Sequence, residues 1–175
     1  MSTESFEQML SGGYHNSLGR TLDVVDLVLA DPDRLEALYN CYFSEDEVVR
    51  LRTSNAIKRV TKAHPDWTVP YIDRLIETVS KIDQPSTHWT MANLFELLET
   101  RMTDKQKADA KVIMKHNLTT HRDWIVLTCS IKTLSDWAVN DAELREWLLP
   151  ELERHAKDKR KSVSKRATQQ LARLN

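Results

Sequence analysis

Glycine is scarce in this chain, and its scarcity excludes several classes of nucleotide-binding site. Only 3 glycines occur among 175 residues, at Gly12, Gly13 and Gly19. The Walker A motif and the dinucleotide-binding fingerprint both need glycines at fixed spacing beside a phosphate, and neither pattern is present. We therefore expect no cofactor.

Cysteine is rarer still, which excludes a disulfide framework. Cys41 and Cys129 are far apart, and each lies within an apolar helical pattern rather than in a C-x-x-C motif. We predict that both are reduced and packed. His116 and His121 are separated by a predicted turn, unlike the i, i+4 pair of a helical zinc site, so we expect no metal site. No nucleophile and base can be paired from the sequence, so we expect a protein that is not an enzyme.

No apolar run is long enough to span a bilayer, and the first residues lack the basic and apolar segments of a secretory signal. We therefore expect a cytoplasmic protein without a membrane partner. The formal net charge of -1 gives no general attraction to nucleic acid. The basic residues are nevertheless concentrated near the C-terminus, where only Asp158 opposes them. They are Arg154, Lys157, Lys159, Arg160, Lys161, Lys165, Arg166 and Arg173.

The chain does contain a helical pattern that recurs. In the stretch 49–60, apolar and compact residues fall on one helical face, at Val49, Thr53, Ala56, Ile57 and Val60. Equivalent positions return after about 37 residues, a period typical of helical repeats. The recurring series are Val60, Leu97, Leu134, Leu171; Ile57, Leu94, Ile131, Thr168; and Leu38, Leu75, Val112, Leu149.

No β pattern competes, so we predict an all-α protein with a single domain over residues 1–175. Residues 1–16 are expected to form an N-terminal arm, residues 17–30 a leading helix, and residues 31–175 four helical repeats. Each helix pair has one wide apolar face, which it must bury against its neighbours in a solenoid. The predicted helices of the pairs are 31–43 with 46–63, 66–82 with 85–100, 104–117 with 121–139, and 141–156 with 158–174. Start signals with capping-box spacing are Ser44 with Glu47, Thr103 with Gln106, and Asn140 with Glu143.

The segment VVRLRTSNAIKRV, with its Val-Arg start and its spaced Ala-Ile, resembles a HEAT repeat, and the resemblance extends over roughly residues 31–174. The segments SGGYHNSLGR and DPDRLEALYNCYF are similar to small bacterial HEAT-like proteins of unassigned function. The resemblance implies a HEAT/ARM-like α-α superhelix whose second helices line a concave binding face. Trp89 and Trp124 depart from the pattern, because small or branched residues are usual at those positions.

We predict the residues of that face by carrying the exposed positions of 49–60 forward through the repeats. They are Arg50, Ser54, Lys58, Met91, Phe95, Trp124, Thr128, Lys132, Lys161 and Lys165. The face would be basic with an aromatic and thioether centre, which suits an acidic peptide, a partner helix or a nucleic-acid backbone. The alternative is that Met91, Phe95 and Trp124 are core residues of differently rotated helices.

The function predicted from these patterns is a non-catalytic binding or scaffold module for a protein or peptide partner. The alternative is a nucleic-acid-binding protein, including a HEAT-like DNA repair glycosylase. A glycosylase needs an aromatic pair and a catalytic carboxylate on the inner face. Trp89 and Trp124 would supply the aromatics, but the nearby acids Asp123 and Asp136 fall outside the predicted rows.

The segment 11–20 is a second candidate site. Gly12 and Gly13 lead into a helix whose free N–H groups would hold an anion, with Arg20 one turn further on. The alternative is a flexible arm capped by Asn16 or Ser17. The oligomeric state is not predicted by any of these patterns.

Overall fold

A computed structural model describes residues 4–175 of the protein, and every regular element in that range is helical. The all-α prediction is therefore confirmed for the described chain. Among these residues, no helix combines the length and the apolarity that crossing a bilayer requires. The helices are α1 (Phe6–Leu10), α2 (Thr21–Ala30), α3 (Leu35–Asn40), α4 (Glu47–Ala63), α5 (Pro65–Thr68), α6 (Ile72–Glu77), α7 (Pro85–Leu98), α8 (Asp104–Thr120), α9 (Trp124–Ala138), α10 (Ala142–His155) and α11 (Lys161–Leu174).

The chain divides into two compact units, Met1–Thr90 and Met91–Asn175, which we call the N-terminal unit and the C-terminal unit. The division falls within α7. That the chain forms a single domain stays a prediction.

Helix α4 is the centre of the N-terminal unit, and α1, α2 and α3 pack against it. Its predicted apolar stripe is confirmed, because Val49, Thr53, Ala56, Ile57 and Val60 are all buried. The start of the helix differs from the prediction. The carboxylate of Asp46 accepts the N–H of Val48, so Asp46 is the cap instead of a Ser44–Glu47 capping box.

The first helices of the two pairs in this unit are broken into short pieces. A 3-10 segment (Pro32–Arg34) precedes α3 and another (Cys41–Phe43) follows it, and α5 and α6 are joined by a third (Val69–Tyr71). Two of these segments contain a proline in their first turn, Pro32 and Pro70, where the N–H that proline lacks is not needed. The predicted arm also contains α1, which begins with a capping box between Ser5 and Gln8.

The C-terminal unit is a regular arrangement of longer helices, in which α9 packs against α8, α10 and α11. The predicted capping box between Thr103 and Gln106 is confirmed at the start of α8. Helix α10 is capped by Asp141 rather than Asn140, because the Asp141 carboxylate accepts the N–H of Leu144.

One position of the predicted repeat is lost in α8. Val112 is 67% exposed, although Leu38 and Leu75 in the equivalent positions are buried. The buried residues of α8 are Ala110, Met114, Asn117 and Leu118. The helix is therefore rotated relative to the register that the repeat predicts.

Candidate partner-binding surface

The predicted row on α4 contains three residues in three different environments. Ser54 is 1% exposed, and its hydroxyl donates to the Tyr42 hydroxyl at 3.3 Å. Its prediction as a partner-binding residue is wrong, because the apolar face of α4 is wide enough to include it. Arg50 is half-buried and donates to the Gln84 side chain at 2.7 Å and to the Ser44 carbonyl at 2.6 Å.

Lys58 is the third residue of that row and differs from the other two. It is half-buried, and no ion pair or hydrogen bond of its side chain occurs within residues 4–175. Of the predicted row on α4, only Lys58 keeps a charged group that is not engaged within the chain.

The predicted exposure of Met91 and Phe95 in the aromatic and thioether centre is wrong. Met91 and Phe95 are each 1% exposed and belong to the core formed by α7, together with Leu94 and Leu98. Thr87, which precedes Met91 by one helical turn, is also buried. These residues lie on the inward face of α7, so the alternative interpretation of a differently rotated helix holds for Met91 and Phe95.

Lys132 is exposed only in part, and its charge is compensated. Its ammonium lies 3.0 Å from a carboxylate oxygen of Asp136 and pairs more closely with Glu96. Asp136 pairs in turn with Arg173. We call Glu96, Lys132, Asp136 and Arg173 the charge chain, which connects α7, α9 and α11.

Electrostatics confirm that the charge chain is internally satisfied. Burial lowers the pKa of Lys132, but hydrogen bonds to Glu96 and Asp136 outweigh it and leave the pKa above its ordinary value. Burial likewise raises the pKa of Asp136, and pairing with Arg173 and Lys132 brings it below the ordinary value. The sequence carried a signal for these contacts, since Glu96 with Lys132 and Asp136 with Arg173 are opposite charges separated by about one repeat.

Thr128 is the remaining predicted residue in the middle of α9. It is half-buried, and its hydroxyl donates to the Ile125 carbonyl at 3.1 Å within the same helix. Its hydroxyl hydrogen is therefore already used by the backbone.

Four lysines near the start of α11 are in a different situation. We call Lys157, Lys159, Lys161 and Lys165 the basic strip; all are exposed, and within the described chain none of their side chains has an acidic partner. The acid within this stretch, Asp158, is already paired with Arg160 at 2.7 Å, and Asp123 adds a second negative charge near Arg160. Hydrogen bonds from Arg160 lower the pKa of Asp158 to about 2. Asp158 therefore does not neutralise the basic strip.

Trp124 is the one predicted aromatic residue that is exposed, at 48%. It begins α9 immediately after Asp123, whose carboxylate accepts the N–H groups of Ile125 and Val126 and so fixes the start of the helix. The guanidinium of Arg160 donates to the carbonyl of Arg122 and thereby joins the turn before α11 to the turn before α9. Trp124 and the basic strip consequently flank two turns that are in contact.

This surface retains Trp124, Lys161 and Lys165 from the predicted site and adds two residues. Lys157 and Lys159 were visible in the sequence as part of the C-terminal basic run, but their positions precede α11 and were outside the predicted rows. A count of unopposed charge over 157–165 identifies them.

The predicted anion site at Gly12, Gly13 and Arg20 has another role. Arg20 pairs with Glu4 at 2.7 Å and with Asp23 at 3.2 Å, and hydrogen bonds to Glu4 and then Asp23 raise its pKa. Its positive charge is therefore already compensated.

The glycine loop itself surrounds a cation rather than an anion. The guanidinium of Arg52 donates to the carbonyls of Leu10 at 2.7 Å and Gly12 at 2.6 Å. It also donates to the carbonyls of Tyr14 and Ser17, each at 3.1 Å. Because the loop directs its carbonyl oxygens at this buried cation, the prediction of an anion site is corrected. Arg52 was missed by sequence reasoning, although its position three residues after Val49 places it on the buried face of α4.

No cluster of three or more His, Cys, Asp or Glu side chains suited to a metal ion occurs among residues 4–175. Cys41 is buried, and burial, followed by the charge of Glu7, raises the pKa of its thiol to about 11. The thiol is therefore protonated near neutral pH. Asp123 and Asp136, the acids considered for a glycosylase, act respectively as a helix cap and as part of the charge chain.

Comparison with known proteins adds no family assignment. No family model matches the sequence, no curated protein is similar to it, and no solved structure matches the fold. The HEAT resemblance therefore stays a prediction, and we infer function from the residues and their geometry.

Proposed function

We propose that this protein is a non-catalytic binding module that holds an acidic segment of a protein or peptide partner on the basic strip and Trp124. The observation that carries the proposal is the exposure of four lysines that have no acidic partner within the described chain, around a turn that Arg160 joins to the turn before the exposed Trp124. The other cations of the predicted face have partners within the chain, as Arg50 and Lys132 do, except Lys58 on α4.

The two parts of the surface supply different contributions to binding. Complementary charge between the lysines and an acidic segment accelerates encounter and selects the partner more than it raises affinity. A tryptophan supplies apolar area, and residues of this type often dominate the binding free energy of an interface. We therefore expect a partner segment that carries carboxylates on both sides of an apolar side chain. The stacking of the helix pairs as a HEAT-like solenoid stays part of this proposal.

Nucleic acid is the second candidate, and one observation favours it. Helix α11 begins at Lys161 and has no acidic side chain in its first turn. Helix N-termini and lysines are both common contacts for phosphate groups. Base stacking on Trp124 would add affinity for a single strand. A glycosylase activity has less support, because the carboxylates of Asp123 and Asp136 are both engaged.

Fluorescence anisotropy with defined probes tests the proposal. The probes are a labelled peptide of alternating acidic and leucine residues, a short single-stranded DNA and a short duplex. The test variant is Lys161→Glu with Lys165→Glu. The matched control is Lys62→Glu with Lys81→Glu, which makes the same change of net charge at exposed lysines of the N-terminal unit.

We expect the test variant to bind the acidic peptide at least about tenfold more weakly, equivalent to ~1.4 kcal/mol. The control should change the affinity by less than about twofold, because salt screens charges that are far from the bound peptide. Equal losses in both variants would refute the basic strip as the binding surface. Binding to DNA but not to the peptide, with a salt slope of roughly 0.9 log unit per phosphate contact on the duplex, would replace the peptide proposal by the nucleic-acid one.

A further inference from the structure

The N-terminal unit contains a shallow groove with a composition opposite to that of the basic strip. Its volume is about 400 Å³, and it lies beside the 3-10 segment Pro32–Arg34 and the start of α6. Its walls combine aromatic rings and prolines with two carboxylates and one guanidinium. The lining residues on which the inference depends are Pro32, Asp33, Glu36, Trp67, Tyr71 and Arg74.

Two of the three charged groups cancel each other. The guanidinium of Arg74 donates to both oxygens of Glu36, at 2.8 and 3.0 Å, and lies 4.2 Å from the centre of the Tyr39 ring. Hydrogen bonding to Arg74 first, and then to Tyr71, lowers the pKa of Glu36 against the opposing effect of burial. The Glu36 carboxylate is thus ionised and already fully engaged.

Asp33 supplies the uncompensated charge of the groove. Its residue is exposed, and its carboxylate makes no ion pair or hydrogen bond within the described residues. The wider environment has the same sign, since residues 1–90 contain 14 acidic and 9 basic side chains, a net charge of -5. The Asp33 carboxylate and the net negative charge of residues 1–90 would both repel an anion and attract a cation.

The aromatic side chains are held in place before any ligand binds. The ring of Trp67 stacks on His64 with centroids 4.0 Å apart and planes inclined by 13°. Tyr71 packs against Tyr39 with ring centroids 5.2 Å apart. Aromatic faces attract ammonium and guanidinium groups, and tryptophan does so most strongly. Rings fixed in this way lose little conformational entropy on binding.

We propose that this groove binds a lysine or arginine side chain from a basic segment of a partner protein. The cationic head pairs with Asp33 while the aliphatic stem packs on Trp67 and Pro32. Long basic side chains combine these two contacts, because their stems are apolar and their heads are charged. The site is independent of the basic strip, since it lies in the other unit and takes the opposite charge.

A pair of isosteric peptides tests the groove directly. The probe is a labelled peptide of alternating arginine and glycine, and its control contains citrulline, which keeps the shape of arginine but carries no charge. The protein variants are Asp33→Asn and Trp67→Leu. Asp26→Asn is the matched control, because Asp26 is an exposed acid of the same unit that does not line the groove.

We expect the arginine peptide to bind and the citrulline peptide to bind at least about tenfold more weakly. Asp33→Asn and Trp67→Leu should each weaken the arginine peptide about threefold, and Asp26→Asn should leave its affinity unchanged. If Trp67→Leu fails to fold, Asp33→Asn still tests the proposal. The Asp33 carboxylate makes no hydrogen bond or ion pair within the described residues, so its replacement should leave the fold intact. Equal binding of the two peptides, or equal effects of Asp33→Asn and Asp26→Asn, would overturn the proposal. The Asp33→Asn variant is also tested with the acidic peptide. Unchanged binding of that peptide shows that a loss of arginine-peptide binding comes from the groove and not from the basic strip.

Discussion

Replacement of Arg52 by methionine is the sharpest test of how the N-terminal unit is held together. Arg52 is 2% exposed, and its guanidinium donates to the carbonyls of Leu10, Ser11, Gly12, Tyr14 and Ser17. Methionine fills much of the same volume but donates no hydrogen bond. The variant Arg52→Met therefore removes the charged centre around which the loop is folded.

The expected loss of stability is smaller than the sum of the free-energy contributions of the individual Arg52 hydrogen bonds. Hydrogen bonds from a charged donor contribute about 1.5–3 kcal/mol each, and a buried polar group left unpaired costs about 1–3 kcal/mol. Residues 11–20 are exposed, so their carbonyls regain water when the guanidinium is removed. Only the bond to Leu10 is fully buried. We therefore expect Arg52→Met to lower the free energy of unfolding by about 3 kcal/mol.

Urea denaturation followed by circular dichroism measures this change, and limited proteolysis reports on the loop. The matched control is Arg59→Met on the same helix, where the arginine is exposed and its side chain donates to Asn55 alone among the described residues. Arg59→Met should lower the free energy of unfolding by less than about 0.5 kcal/mol, as substitutions at exposed positions usually do. The Arg52→Met variant should also be cleaved faster within 11–20. A loss below about 1 kcal/mol, with unchanged cleavage in the loop, would refute a structural role for Arg52.

Two further predictions concern the same loop and the C-terminal unit. Gly19→Ala should lower the melting temperature more than Gly12→Ala does. Both glycines have positive φ, so both substitutions strain the backbone. A Cβ at Gly19 would in addition lie 2.8 Å from the Arg52 side chain, whereas a Cβ at Gly12 meets nothing within 4 Å. Equal shifts of the melting temperature would contradict that contact. Asp158 has a pKa lowered from 3.8 to about 2 by Arg160, so its contribution to stability is present above about pH 4 and lost as pH falls towards 2. As pH falls from about 4 to 2, the free energy of unfolding should decrease less steeply for Asp158→Asn than for the unaltered protein. Parallel curves of unfolding free energy against pH would contradict the pairing of Asp158 with Arg160.

The elements that sequence reasoning predicted well depend on contacts close in sequence. The face of α4 from Val49 to Val60 is confirmed because helical periodicity alone places those residues on one side. The capping box at Thr103 is confirmed for the same reason, since its hydrogen bonds join residues three apart.

The candidate site was predicted less well because the exposed face of α4 was taken to be wider than it is. Met91 was carried forward from Ser54, which is itself 1% exposed, so this position is buried in both helices. Phe95 was carried forward from Lys58, which is half-buried, whereas Phe95 belongs to the core. A fixed offset of about 37 residues therefore repeats any error in the burial assigned to the first helix.

Arg52 shows a different limit of the pattern. An arginine is usually assigned to the surface, because burial of its charge is costly unless partners are supplied. Its partners are backbone carbonyls of 10–17, which precede it by about 40 residues and carry no side-chain signal. Only the three-dimensional fold brings them together.

Photo-crosslinking tests most directly whether the basic strip is the binding surface. The acidic peptide of the anisotropy assay, with one leucine replaced by a photoreactive analogue, is irradiated with the unaltered protein and the crosslinked residues are identified by mass spectrometry. We expect crosslinks within 157–165 and at Trp124, and we expect them to be lost in the variant Lys161→Glu with Lys165→Glu. Crosslinks concentrated on 50–58 of α4, with none on the basic strip, would contradict it.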